Sequence, residues 1–154
     1  MNRHSAQAFT LPHLLAALAL TGVAASFAVN SYRKYILDAE LRQTQSLMME
    51  NSRFLHHRYA QYQRFTLDRN NWPQLPHAAN TRFCIRPQGR PHGQLPGKFT
   101  LKAVAFDKTR ETRILKTNQD GYFTICQSSS SSCDEREPYF KGGSGSDKNC
   151  TLYR

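Results

Sequence analysis

From Val23 to Trp72 the chain contains neither glycine nor proline. An interval of that length without a backbone breaker excludes a loop-rich first half and leaves one long helix as its simplest state. The commoner signatures of catalysis are missing too. There is no G-x-S-x-G elbow, no pair of carboxylates set for acid–base work and no thiol expected to stay free, so the chain is not expected to be an enzyme. Helix-turn-helix, zinc-finger and RNP signatures are absent, so nucleic acid would not be read by a common module. Cysteine is limited to four residues, separated by 41, 6 and 16 others. Structural zinc needs short, clustered spacings, which these are not. His56 and His57 are adjacent and point to different sides of a helix, with no histidine or carboxylate at i+4 from either. They belong on a solvated face, and neither metal nor cofactor is expected.

The sequence does contain one apolar run, Ala8 to Val29, behind the polar leader Met1–Gln7. At about 1.5 Å per residue, such a run can cross or nearly cross a bilayer core as a helix. Arg3 and His4 before it, and Tyr32, Arg33, Lys34 and Tyr35 after it, suit the two interfaces. A secretory signal leaving at Ala24-Ala25-Ser26 and a plain anchor are the competing readings. Against both, Phe9-Thr10-Leu11 opens the run after a very short leader, and this resembles the type IV prepilins. The resemblance implies that prepilin peptidase cuts after Ala8, that Phe9 is N-methylated, and that the helix stays in the inner membrane before assembly. The chain then divides into a leader (1–8), a transmembrane and filament-core helix (9–29) and a periplasmic globular domain (30–154). Three positions depart from the family pattern. Ala8 replaces the usual glycine, His13 the usual glutamate, and Asn30 a frequent proline. The loss of glutamate removes the anion that would meet a subunit's terminal amine during assembly.

The helical pattern continues beyond the apolar run. Ile36, Ala39, Leu47, Met48, Asn51, Phe54, Leu55, Tyr59 and Tyr62 recur at spacings of three and four, which predicts one helix from about Leu11 to about Tyr62. Residues 30–45 are polar enough to bridge through solvent or melt. Asp68–Pro76 is a loop by its Asn, Asp and Pro content, with Trp72 and Leu75 expected to pin it to the domain, although a base-stacking role for Trp72 is also possible chemistry. Four strands follow, over Arg82–Arg86, Lys98–Asp107, Thr112–Thr117 and Tyr122–Gln127, and short turns between the last three make an antiparallel meander. Alternation sends Phe99, Leu101 and Ala103 to one face and Lys98, Thr100 and Lys102 to the other. The expected fold is therefore α+β, a long N-terminal helix packed on a four-stranded antiparallel sheet, with the opposite face keeping its lysines in water. Residues 87–97 form a shaped Pro/Gly loop between the first two strands. The Ser- and Gly-rich tail bounded by cysteines has little core of its own and needs disulfides, for which three pairings are open.

Charge is distributed unevenly. The formal net charge is +10, and residues 82–116 alone carry nine basic and two acidic side chains. A basic excess confined to one stretch favours a polyanion-facing surface over a general solubility charge.

Phe83-Cys84-Ile85-Arg86, Lys98–Lys108, Ile114-Leu115-Lys116, Phe123–Cys126, Ser131–Cys133, Tyr139–Gly142, Asp147–Cys150 and Trp72–Pro76 together resemble the competence minor pilins of the ComP type, covering most of the chain after the anchor. What the resemblance implies is a type IV pilin fold and a DNA receptor for natural transformation. Such a receptor sits in the pilus among major and minor pilins and prefers a short DNA uptake sequence in double-stranded DNA. It points to Arg86, Lys102 and Lys116 as DNA contacts and to Cys84–Cys133 and Cys126–Cys150 as the disulfides. Arg82, Arg90 and Lys98 lie in the same basic stretch and extend the candidate set. The alternative is a structural or accessory minor pilin, acting in filament priming, aggregation or adhesion, whose basic strip has another use.

Overall fold

The computed structural model describes residues 11–143 and 145–153, so the expected cleavage site at Ala8 and Phe9 lies outside the described residues. The chain divides into two compact units, one ending at Asp38 and one beginning at Ala39. A single helix, α1 (Leu11–Tyr62), runs through both, with Pro12 in its first turn, Gly22 tolerated inside it and no further glycine or proline before its end. Within the first unit its apolar side chains are exposed, among them Leu14, Leu18, Val23 and Phe27, and its length and composition suffice to cross a membrane. Residues 30–45 are helical throughout rather than melted.

The second unit is a two-layer α+β structure. Five strands, β1 (Phe83–Pro87), β2 (Thr100–Ala105), β3 (Ile114–Asn118), β4 (Phe123–Ser129) and β5 (Asp147–Leu152), form one antiparallel sheet in chain order. The sheet thus has one strand more than expected. Nothing in the polar sequence Asp-Lys-Asn-Cys-Thr-Leu alternates toward a core. The segment pairs as an edge strand, with Cys150 opposite Cys126.

Leu41, Thr44, Met48, Asn51 and Leu55 form the buried stripe of α1, at alternating spacings of three and four. They meet Phe83, Ile85, Leu101, Ala103, Ala105, Leu115 and Phe123 from the sheet. Two polar members of that stripe hold the loop ahead of β1. The Asn51 amide donates to the His77 carbonyl (2.7 Å) and accepts from the His77 amide (3.0 Å). The Thr44 hydroxyl accepts from Asn80 (2.9 Å), whose own side-chain oxygen receives the Arg82 and Phe83 amides. Trp72 is buried, and its indole N–H donates to the Gly89 carbonyl at 2.9 Å. The ring therefore packs under its loop and ties it to the Pro/Gly loop, leaving no open face for a base.

Candidate nucleic-acid interface

The register of the sheet places three cations side by side. Arg86 pairs with Lys102, and Lys102 with Lys116. Like charges directly opposite one another on a sheet are unfavourable unless an anion intervenes. Here the anion is Asp147. Its carboxylate bonds Lys102 Nζ through one oxygen and Lys116 Nζ through the other (3.0 Å), and it accepts from the Ser129 hydroxyl at 2.7 Å. Lys102 Nζ also donates to Ser131 Oγ at 2.8 Å.

Asp147 reaches the row because of an overhang. Pairing between β3 and β4 stops at Ile114 opposite Cys126, whereas β4 continues to Ser129, paired with Asp147 of β5. The overhanging pair, followed by residues 130–141, lies over the side of the sheet that faces away from α1. Cys84, Val104, Ile114, Cys126 and Phe140 make a second small core there. Both disulfides serve this face: Cys84–Cys133 fastens the cover to β1, and Cys126–Cys150 fastens β5 to β4.

Arg86 is engaged by backbone. Its guanidinium donates to the carbonyls of Cys133 (2.6 Å), Glu135 (2.8 Å) and Glu137 (2.9 Å), and lies 5.4 Å from the Phe140 ring centroid. A planar five-donor fork suits this task where an ammonium would not. Lys108 holds the base of the same segment through the Ser129 and Ser131 carbonyls.

The expectation that this face keeps its lysines in water therefore fails for Lys102, which is 0% exposed beneath the cover. Alternation assigned the correct face, but the cover over that face comes from residues distant in sequence. Lys116 retains 25% of its side-chain exposure, and the Asp147 side chain 5%. Burial depresses the Lys102 ammonium below the usual lysine range, partly offset by Asp147. For Asp147, burial alone would raise the carboxyl. The hydrogen bonds from Lys102, Ser129 and Lys116 outweigh it and hold the group below the usual carboxylate range.

The remaining candidates divide in the same way. Arg82 is ion-paired with Glu40 of α1 (2.9 Å) and half-buried. Arg90 is exposed within the Pro/Gly loop and Lys98 just after it, with His92 exposed in its short 3-10 turn. That loop docks on the cover. The Gly89 amide donates to the Phe140 carbonyl (2.8 Å) and the Phe140 amide to the Pro87 carbonyl (2.9 Å), which sets exposed Lys141 beside the loop. Lys148 on β5 is also exposed. Sequence reasoning missed Asp147 and Lys141. The available signal was electrostatic: three cations predicted on one face require an acid, and Asp147 lies three residues from a cysteine. Among the described residues no group of three or more His, Cys, Asp or Glu is placed to hold a metal ion.

No protein-family model matches the chain, and no curated protein matches it. Solved structures do. The chain is similar to the minor DNA-uptake pilin ComP from Neisseria subflava, with 37% identity over 74% of this chain and 95% of that one, at a TM-score of 0.60. It is also 37% identical to the type IV pilin ComP from Neisseria meningitidis, over 75% of this chain and 99% of that one, at a TM-score of 0.49. The long helix on an antiparallel sheet, the two disulfides and 37% identity across nearly the whole of the Neisseria subflava ComP chain lead to one assignment: the chain belongs to the ComP minor pilins of the type IV pilin family.

Proposed function

We propose that this minor pilin is the DNA receptor of natural transformation in its cell, binding double-stranded DNA with preference for a short uptake sequence. Its apolar helix would hold it in the inner membrane, with the domain on the periplasmic side, until it joins other pilins in the filament. The observation that carries this reading is the grouping of exposed Arg90, His92 and Lys98 on and just after a loop docked against the segment that bears Lys141. Lysine and arginine there can neutralise phosphates, and the gain is counterion release. A projecting loop can enter a groove that a flat sheet cannot, and Arg90 has the geometry to grip guanine edge-on. Arg86, Lys102 and Lys116 act in this reading through the cover they hold, which sets where the loop and Lys141 stand.

The test is titration of the full chain in detergent with two duplexes. One carries the most over-represented short word of the encoding genome, and the other carries that word scrambled. Affinity should favour the first, and log affinity should fall against log salt with a slope of roughly −3 if three exposed cations meet phosphates. Changes within Gln88–Gln94 should erode the preference by about 1–3 kcal/mol per lost base contact. Lys98→Ala and Lys141→Ala should each weaken both duplexes equally and lower the slope by about one. One observation favours the alternative of a structural or accessory minor pilin. The three cations at the centre of the basic stretch are already occupied within the chain. Equal, salt-insensitive affinity for both duplexes would decide for that alternative.

A further inference from the structure

We propose that Asp147 is an internal stand-in for a DNA phosphate: it latches the overhang of β4 and β5 over Lys102 and Lys116, and bound DNA displaces it. The inference rests on the receptor reading and adds a closed and an open state to it.

Four features support a latch. The Asp147 carboxylate divides its two oxygens between two ammonium groups and takes a serine hydroxyl as well, a donor set that suits a phosphate equally. The row contains three cations, Asp147 bonds two of them and the Glu135 carboxylate also acts on Lys102, so one positive charge is left over to attract a polyanion. The chain can pivot upstream of Asp147 and is fixed downstream of it. Upstream, the anchored Phe140 is followed by glycines at 142, 143 and 145, and Gly145 adopts φ +95°, a conformation few other residues accept. Downstream, the Cys126–Cys150 disulfide fixes β5 to β4 three residues away, so displacement is confined to the tip. The tip itself is held by polar contacts: Ser130 N–H to the Ser146 carbonyl (2.9 Å), the Lys108 ammonium on the Ser129 and Ser131 carbonyls, and the Lys102 ammonium on the Ser131 hydroxyl. No apolar side chain of the tip is buried in the two cores.

Charge sets the equilibrium. With Asp147 in place, a buried Lys102 is compensated and the closed state is favoured. Without it, Lys102 becomes a buried cation lacking its carboxylate, which strongly disfavours closure. Opening then presents two more cations to DNA.

The experiment compares the full chain with its Asp147→Asn variant, using the same two duplexes across a salt series. Asparagine keeps the size and can still accept from Ser129. The variant should bind both duplexes at least tenfold more tightly, with a slope steeper by about one to two. Adding Lys102→Ala and Lys116→Ala to Asp147→Asn should abolish the gain. Unchanged or weaker binding with an unchanged slope overturns the latch while leaving the receptor reading intact. Binding of neither duplex by either protein removes the receptor reading and the latch with it. A second measurement needs no variant. In the wild-type chain, saturating duplex should accelerate hydrogen exchange of the Ser130 amide; slowed or unchanged exchange there overturns the displacement.

Discussion

The two faces of the sheet are held by different physics. The face toward α1 is closed by apolar burial: Leu41, Met48 and Leu55 against Leu101, Ala103, Leu115 and Phe123, with Phe65, Phe99 and Tyr59 packed ring against ring at the end of the helix. The opposite face has Phe140 and a few aliphatic residues, and is held by two disulfides, a buried ion pair and an arginine bonded to three carbonyls. The first mode is non-directional and tolerant in sequence. The second is directional and fails when one partner is lost.

Perturbing each face sharpens the contrast, beginning with the largest effect. Leu55→Ala should cost about 2–5 kcal/mol, because the side chain is fully buried at the centre of the near face. Urea unfolding should show one lowered midpoint for the whole domain. Replacing Cys84 and Cys133 together by serine should cost about 2–4 kcal/mol. Its signature should differ: hydrogen exchange should rise across residues 130–141 and Arg86's contacts, while strands facing α1 stay protected. A single cooperative loss in both variants would mean that the faces do not behave separately.

Acid should separate them next. The native pKa of Asp147 lies below its unfolded value, so the unfolded chain binds more protons through that window. Its contribution is fully present above about pH 4 and is lost as pH falls through the native pKa. The Ser130 and Ser146 region should therefore open in acid before the near-face core does, as amide exchange would reveal. The smallest expected effect belongs to Trp72→Phe, which keeps most of the packing but removes the bond to Gly89. It should cost roughly 0.5–1.5 kcal/mol and leave the disulfide-bound cover unchanged by the same exchange measurement.

The same contrast explains what could be read from sequence. The helix was legible to its ends because no breaker falls between Val23 and Trp72 and its stripe repeats at three and four as far as Tyr62. The near-face residues of β2 were legible because alternation is local. Asn51 showed only as a member of the stripe, since its clamp on His77 depends on a loop 26 residues on. Lys102 was assigned to the correct face yet to the wrong environment, because its cover is made by Ser131, Phe140 and Asp147, which no local period connects to it. The fifth strand was missed for the same reason: an edge strand exposed on both faces carries no alternation. The disulfide pairs followed from family resemblance, and spacing alone left three choices.

Between Cys126 and Cys150 the backbone is pinned at Cys133 and at Phe140 as well as at its ends. This divides the segment into three short arcs, residues 127–132, 134–139 and 141–149. Outside the paired residues of β4 and β5 and the contacts to Lys102, an arc with both ends tethered can exchange its residues without renegotiating the sheet beneath, much as movable type is reset within a frame. On the receptor reading proposed above, lineages with different target words would rewrite the unpaired positions of the arcs one at a time, each trial costing little in folding. The cysteines in such a series should stay constant while the letters between them drift.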